Sequence, residues 1–157
     1  MLANIVSSLP IQNKESPVQV ETGHIGYSKS QIKTRDLDLC SAVILDFGDS
    51  VLLAHALPTK NNIEYEGVSY VTIGNVVDKL VQESRSRGLD YTTGEAIINA
   101  GNEESLEYLK AEISERGMQV LEANTEKAPN PNYAYNPLRT VHFDPRSNKL
   151  KILYQQE

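Results

Sequence analysis

Apolar positions crowd most tightly into two runs, Ser41-Ala42-Val43-Ile44-Leu45-Asp46-Phe47 and Ser50-Val51-Leu52-Leu53-Ala54-His55-Ala56-Leu57-Pro58, separated only by Gly48-Asp49. Two β-rich runs around a Gly-Asp pair predict a hairpin closed by a type II′ or I′ turn. Because the runs are apolar almost without a break, the sheet that holds them should be covered on both faces. Val18, Val20 and Ile25 supply further strand positions. The period then lengthens: Val76, Val77, Leu80 and Val81 recur three and four apart, predicting a helix over 71–87 that stops at Gly88. A strand is expected over 91–99. Asn102 can cap a second helix whose stripe is Leu106, Leu109 and Ile113 and whose end is Gly117. A short strand over 118–123 follows, and a final hairpin pairs 138–144 with 149–154 through Pro145-Arg146-Ser147-Asn148. The polar stretch 60–69 reads as a loop, as does 124–137 with its three prolines and four asparagines. Residues 1–17 read as a flexible N-terminal arm and 18–157 as one domain of mixed α/β type with two main helices.

At 157 residues the chain suits a single domain, large enough to bury a core without a metal or disulfide staple. Its 15 Lys+Arg against 21 Asp+Glu give a net charge of −6, which argues against nucleic acid or an anionic membrane as main partner. No apolar run approaches the length of a membrane span, and the N-terminus lacks the basic region of a cleaved signal. One cysteine, Cys40, excludes an internal disulfide and fits a reducing compartment. A cytoplasmic location is therefore expected, or export by a route without a cleaved signal. Cys40, His24, His55 and His142 are too scattered for a zinc pattern, and no phosphate-cradling glycine motif occurs. Neither a metal nor an organic cofactor is expected. Glu103, Glu104, Glu107 and Glu112 read as the solvated face of the second helix.

Cys40 and His55 have a different relationship. If Gly48-Asp49 is a two-residue loop, Phe47 faces Ser50 and His55 faces Ala42. Side chains alternate with period two, so Cys40 and Ala42 share a face. Cys40 and His55 then become diagonal neighbours, roughly 7–8 Å apart at the backbone and within side-chain reach. A slip of one residue would put them on opposite faces. A thiol beside an imidazole is an activatable nucleophile: the imidazole takes the proton, and the imidazolium stabilises the thiolate that attacks a carbonyl. The same residues also fit a structural role, the cysteine as a small buried apolar group and the histidine as a hydrogen-bonded strand residue. His24 and His142 fit only that second role, and alternation turns His142 away from the core.

Several segments resemble the CheD family of chemoreceptor glutamine deamidases. They are Thr34-Arg35-Asp36-Leu37-Asp38-Leu39-Cys40, the apolar hairpin with Ala54-His55-Ala56-Leu57-Pro58, Ala96-Ile97-Ile98-Asn99-Ala100-Gly101 with Asn102, and Arg139-Thr140-Val141-His142-Phe143-Asp144. The resemblance spans about residues 24–154. It implies an α/β/β layered sandwich with mixed, largely antiparallel sheets, an architecture shared with toxin deamidases of the cytotoxic necrotizing factor type. It implies a triad of Cys40 as nucleophile, His55 as base and Thr34 as orienting hydroxyl. The implied activity is hydrolysis of a glutamine side-chain amide in a partner protein. That partner would be a chemoreceptor or, for a divergent member, another bacterial protein or a host protein. Asp36, Asp38, Leu39, Ser41 and Asn99 are the candidates for contacting substrate. The sequence departs from the family where Asp36 and Asp38 replace glycines and Leu39 replaces serine. Those glycines permit unusual backbone angles and close approach; aspartates add bulk and negative charge. The alternative implied by these departures is a deamidase-like binding or regulatory protein without turnover.

Overall fold

The computed structural model describes residues 16–125 and 138–154. Residues 1–15 of the expected arm and 126–137 of the expected loop lie outside the described residues. The elements in chain order are β1 (Val18–Val20), β2 (Ile25–Ser28), β3 (Ile32–Leu37), β4 (Ser41–Asp46), β5 (Val51–Ala56), β6 (Ile63–Tyr65), β7 (Val68–Tyr70), α1 (Val76–Ser86), β8 (Glu95–Ala100), α2 (Glu103–Glu115), β9 (Gln119–Thr125), β10 (Arg139–Asp144) and β11 (Lys149–Tyr154). They form a five-stranded sheet in the order β2-β5-β4-β8-β9, a four-stranded sheet β1-β3-β10-β11, and a small β6-β7 ribbon.

The apolar hairpin closes in the register its turn dictates. Phe47 N–H donates to the Ser50 carbonyl at 2.9 Å, Gly48 takes a φ of 90°, and Ala42 stands opposite His55. A positive φ at the first loop position suits glycine, which has no Cβ to clash. Every residue of β4 and β5 is buried, because the sheet is covered on both sides. Val43, Leu45, Leu52, Ala54, Ala56, Ile98 and Ala100 pack under the helices with Val77, Leu80, Leu109 and Ile113. Ala42, Ile44, Val51, Leu53 and Ile97 face the four-stranded sheet and meet Val20, Ile32, Leu37, Val141 and Phe143. Burying a large apolar side chain fully is worth about 1.5–3 kcal/mol, so this second cluster joins the sheets firmly. The chain is a layered α/β/β sandwich.

Several segments differ from the sequence expectation: β3 was not expected, and residues 124–125, expected as loop, end β9. Residues 60–69, expected as a loop, contain the β6-β7 hairpin, which turns through Glu66 and Gly67, both at positive φ. Its strands are largely exposed, so no apolar face marks them. The helix expected over 71–87 begins only at Val76. Before it, Val71 and Ile73 are buried in extended chain that brackets Leu57, with Leu57 N–H donating to Val71 and Ile73 N–H to Leu57. The Asn75 side chain then accepts from Thr72 N–H. The strand expected over 91–99 starts at Glu95; Tyr91–Thr93 is a 3₁₀ turn capped by the Asp90 carboxylate.

β3 has no clear period in the sequence because it is bulged. Val141 pairs with Thr34 but Arg139 with Leu37, so two steps along β10 match three along β3. The surplus is taken up where Asp36 adopts φ 61°, a left-handed conformation that aspartate tolerates better than most residues. The bulge resets the alternation: Thr34 and Leu37 both point inward and are fully buried, while Arg35 and Asp36 are exposed.

Candidate active site

The bulge and the hairpin together place three side chains at one end of the space between the sheets. His55 lies on the face of β5 that carries Val51 and Leu53 toward the four-stranded sheet. Thr34 reaches it from β3, with Oγ1 and His55 Nδ1 2.7 Å apart. Cys40, half-buried, immediately precedes β4 and packs on the same inter-sheet cluster as Ala42. The structure thus brings Thr34 and His55 into contact and puts Cys40 on their side of the sheet.

The tautomer of His55 follows from proton counting. Thr34 Oγ1–H donates to the Val20 carbonyl at 2.7 Å. A hydroxyl has one proton to give, so toward the imidazole the oxygen accepts. Nδ1 therefore carries the proton, and Nε2 keeps its lone pair. Nε2 is buried and has no hydrogen-bond partner among the described residues, an uncommon arrangement in folded proteins. Burial first, and the Arg139 charge second, hold the imidazole down to about 4, with Asp36 pulling the other way. Burial pushes the Cys40 thiol above its ordinary value, Arg139 draws it back, and Asp38 pushes it up again. Both shifts favour a thiol and a neutral imidazole over the thiolate and imidazolium that the residue types suggest. A neutral base with a free Nε2 can still take the thiol proton during attack.

Arg139 was not among the candidate site residues, yet it organises the approach to Cys40. The guanidinium is fully buried. Nη1 donates to the carbonyls of Leu37 at 3.3 Å and Asp38 at 2.8 Å. Nη2 donates to the carbonyls of Cys40 at 3.1 Å and Asn99 at 3.4 Å, and Nε to Asn99 Oδ1 at 2.8 Å. The signal in the sequence was an arginine heading an alternating strand, which normally reads as a solvated end.

The other candidates divide by exposure. Asn99 is buried; besides holding Arg139, its Nδ2 donates to Asn124 Oδ1 at 2.6 Å. Ser41 is fully buried, and its Oγ accepts from Gly101 N–H at 3.2 Å. Ser41 and Asn99 therefore brace the site from inside. Asp36 is exposed, Asp38 is half-buried, and Leu39 is 49% exposed at the rim. Only Asp36 takes a left-handed conformation; Asp38 does not. Gly101 lies so close to the Leu39 carbonyl that a Cβ there would collide with it. No group of three or more His, Cys, Asp or Glu side chains able to hold a metal stands together among the described residues. None of their helices is long and apolar enough to cross a membrane.

The chain matches no protein-family model and no curated protein sequence.

Proposed function

We propose that the protein is a cysteine-dependent protein glutamine deamidase, acting on a chemoreceptor or on another bacterial or host protein. The observation that carries this reading is the Thr34-fixed imidazole, whose buried, unpartnered Nε2 lies on the Cys40 side of the sheet. His55 Nε2 takes the Cys40 proton as sulfur attacks the carboxamide carbon of a substrate glutamine. The carbonyl electron pair moves to oxygen, where backbone N–H groups receive the charge. The intermediate then collapses: the C–N bond breaks, the His55 proton goes to the leaving nitrogen, and ammonia departs from a thioester. His55 next deprotonates water, which attacks the thioester and frees glutamate and the thiol. Thr34 keeps Nδ1 protonated throughout, as the third member of a triad does. An amine in place of water would give transglutamination by the same thioester.

A second reading, a binding or regulatory protein without turnover, is favoured by one feature: His55 Nε2 has no hydrogen bond to Cys40 Sγ. The two readings part in one experiment. Wild-type protein and Cys40→Ala are incubated with chemoreceptor and host-protein panels, and ammonia release and glutamine-to-glutamate conversion are followed by mass spectrometry. The deamidase reading expects conversion by the wild type alone. Conversion by neither, with tight retention of one panel protein by both, would overturn it.

A further inference from the structure

Resting on the deamidase reading, the geometry points to Arg139 as a positioning residue that shapes the oxyanion site by drawing the carbonyls of Leu37, Asp38 and Cys40 inward, which leaves the amide N–H groups of this segment to face the substrate. All three of those carbonyls accept from one guanidinium. The intervening Leu39 carbonyl is pressed against Gly101, where no side chain could fit. The carbonyls of Leu37, Asp38 and Cys40 are therefore held on the interior side by Arg139, and that of Leu39 lies against the Gly101 backbone. Among the described residues, the N–H groups of Asp38, Leu39 and Cys40 donate to no backbone carbonyl in the turns and loops. Donors that remain unsatisfied beside a nucleophile are what a developing oxyanion requires.

The clamp is held as firmly as what it holds. Arg139 is fully buried, heads β10 opposite the bulged end of β3, and is braced by Asn99 Oδ1 on β8. Guanidinium suits this task because its donors lie in one rigid fork, whereas a lysine ammonium presents three rotatable donors on a flexible stem. Lysine would keep the positive charge near Cys40 but could not reach all of these acceptors at once. Arg139→Lys therefore separates geometry from charge.

The test compares two reactions of Cys40 that need no natural substrate. Alkylation by iodoacetamide displaces iodide from an sp³ carbon and forms no oxyanion. Acylation by p-nitrophenyl acetate does form one: sulfur gives its proton to His55 and bonds to the carbonyl carbon. The oxygen takes the electron pair, and collapse expels p-nitrophenolate to leave an acetyl thioester. Loss of a single oxyanion donor typically slows such chemistry by about 10²–10³-fold. Loosening the whole segment should slow acylation of Arg139→Lys by about 10–100-fold, while its alkylation rate changes by no more than about threefold. Equal loss in both reactions, or loss in neither, would overturn the proposal. Should Arg139→Lys fail to fold, Asn99→Ala decides instead. It removes the Nε brace and keeps the guanidinium, and it should slow acylation about 3–10-fold with alkylation unchanged; wild-type acylation in that variant would overturn the proposal. Failure of the deamidase reading looks different, because a wild type that acylates with this selectivity yet never converts glutamine loses the substrate assignment and keeps the clamp.

Discussion

Acidification should remove from the wild-type protein a share of stability that a variant lacking His55 does not have to lose. Burial and the Arg139 charge hold the folded imidazole at about 4 against an ordinary 6.5. Between those values the unfolded chain binds the proton and the folded chain does not, so unfolding takes up a proton and stability rises with pH. The contribution is complete above the unfolded value of 6.5 and is lost as pH falls through about 4. At 1.36 kcal/mol per pKa unit the shift corresponds to about 3 kcal/mol, a large part of the roughly 5–15 kcal/mol that holds a domain folded. His55→Gln removes the titration and keeps an amide that can donate to Thr34 Oγ1. The assay is urea unfolding followed by far-ultraviolet circular dichroism at constant ionic strength, from neutral pH to about pH 4. His142, lowered by burial, and Asp46, raised by burial, are present in both proteins and cancel in the difference. The stability advantage of wild type over His55→Gln should shrink by about 3 kcal/mol on acidification. Parallel pH dependences would refute the buried neutral imidazole, as would an NMR titration of His55 centred at its ordinary value. An advantage that grew on acidification would mean that the fold favours imidazolium, and hence a resting ion pair with Cys40.

Thr34→Val keeps the shape but leaves His55 Nδ1–H without its acceptor, which should cost about 1–3 kcal/mol in urea unfolding and lower Cys40 acylation through loss of the tautomer; unchanged acylation would free Thr34 from the site. Gly101→Ala drives a methyl group into the Leu39 carbonyl and should destabilise by about 1–3 kcal/mol while slowing acylation more than alkylation; a wild-type melting temperature with wild-type acylation would show the contact to be dispensable. Asp36→Gly relieves a left-handed aspartate and should be neutral to about 1 kcal/mol stabilising, whereas Asp36→Ala should be about 1 kcal/mol destabilising; the reverse order in thermal unfolding would contradict the bulge. The carboxylates of Asp36 and Asp38 act within a Debye length of about 8 Å, so the proposed deamidation should favour glutamines flanked by lysine over those flanked by glutamate; equal rates on Lys-, Ala- and Glu-flanked substrates, unaffected by salt, would remove these aspartates from specificity.

How much of the site could be seen in the sequence depended on whether its geometry is local. The register that sets Ala42 opposite His55 was legible because a two-residue turn fixes register, and register fixes which side chains share a face. Nothing further along the chain is needed to state it. The helices were legible from their apolar period, except at the start of the first, where Val71 and Ile73 precede the helix that begins at Val76. Both are buried, but as alternate residues of an extended segment beside Leu57. The β6-β7 ribbon was hidden for the opposite reason. Its strands bury little, so the alternation of Ile63, Tyr65, Val68 and Tyr70 marks no core face. β3 was obscured by its own bulge, because a strand that inserts an extra residue loses its period where it matters most. Arg139 was the least legible. Its acceptors at Leu37, Asp38 and Cys40 lie about a hundred positions earlier in the chain, and no local pattern distinguishes a buried guanidinium from one at the surface.

The same distances bear on how the site is assembled. Thr34 belongs to the four-stranded sheet and His55 to the five-stranded one, so the hydrogen bond that fixes the tautomer exists only while the sheets are packed together. What packs them is the cluster of Ile32, Leu37, Val141 and Phe143 against Ile44, Val51, Leu53 and Ile97. Arg139 spans the same division, rooted in β10 and bonded to the carbonyl of Cys40 at the threshold of β4 and to Asn99 on β8. Orientation of the imidazole and placement of the segment before Cys40 are therefore not independent of one another. Any opening of the inter-sheet core breaks both at once. A surface residue can be exchanged without reaching this arrangement, whereas a cavity in that core loosens the packing that holds Thr34 Oγ1 against His55 Nδ1.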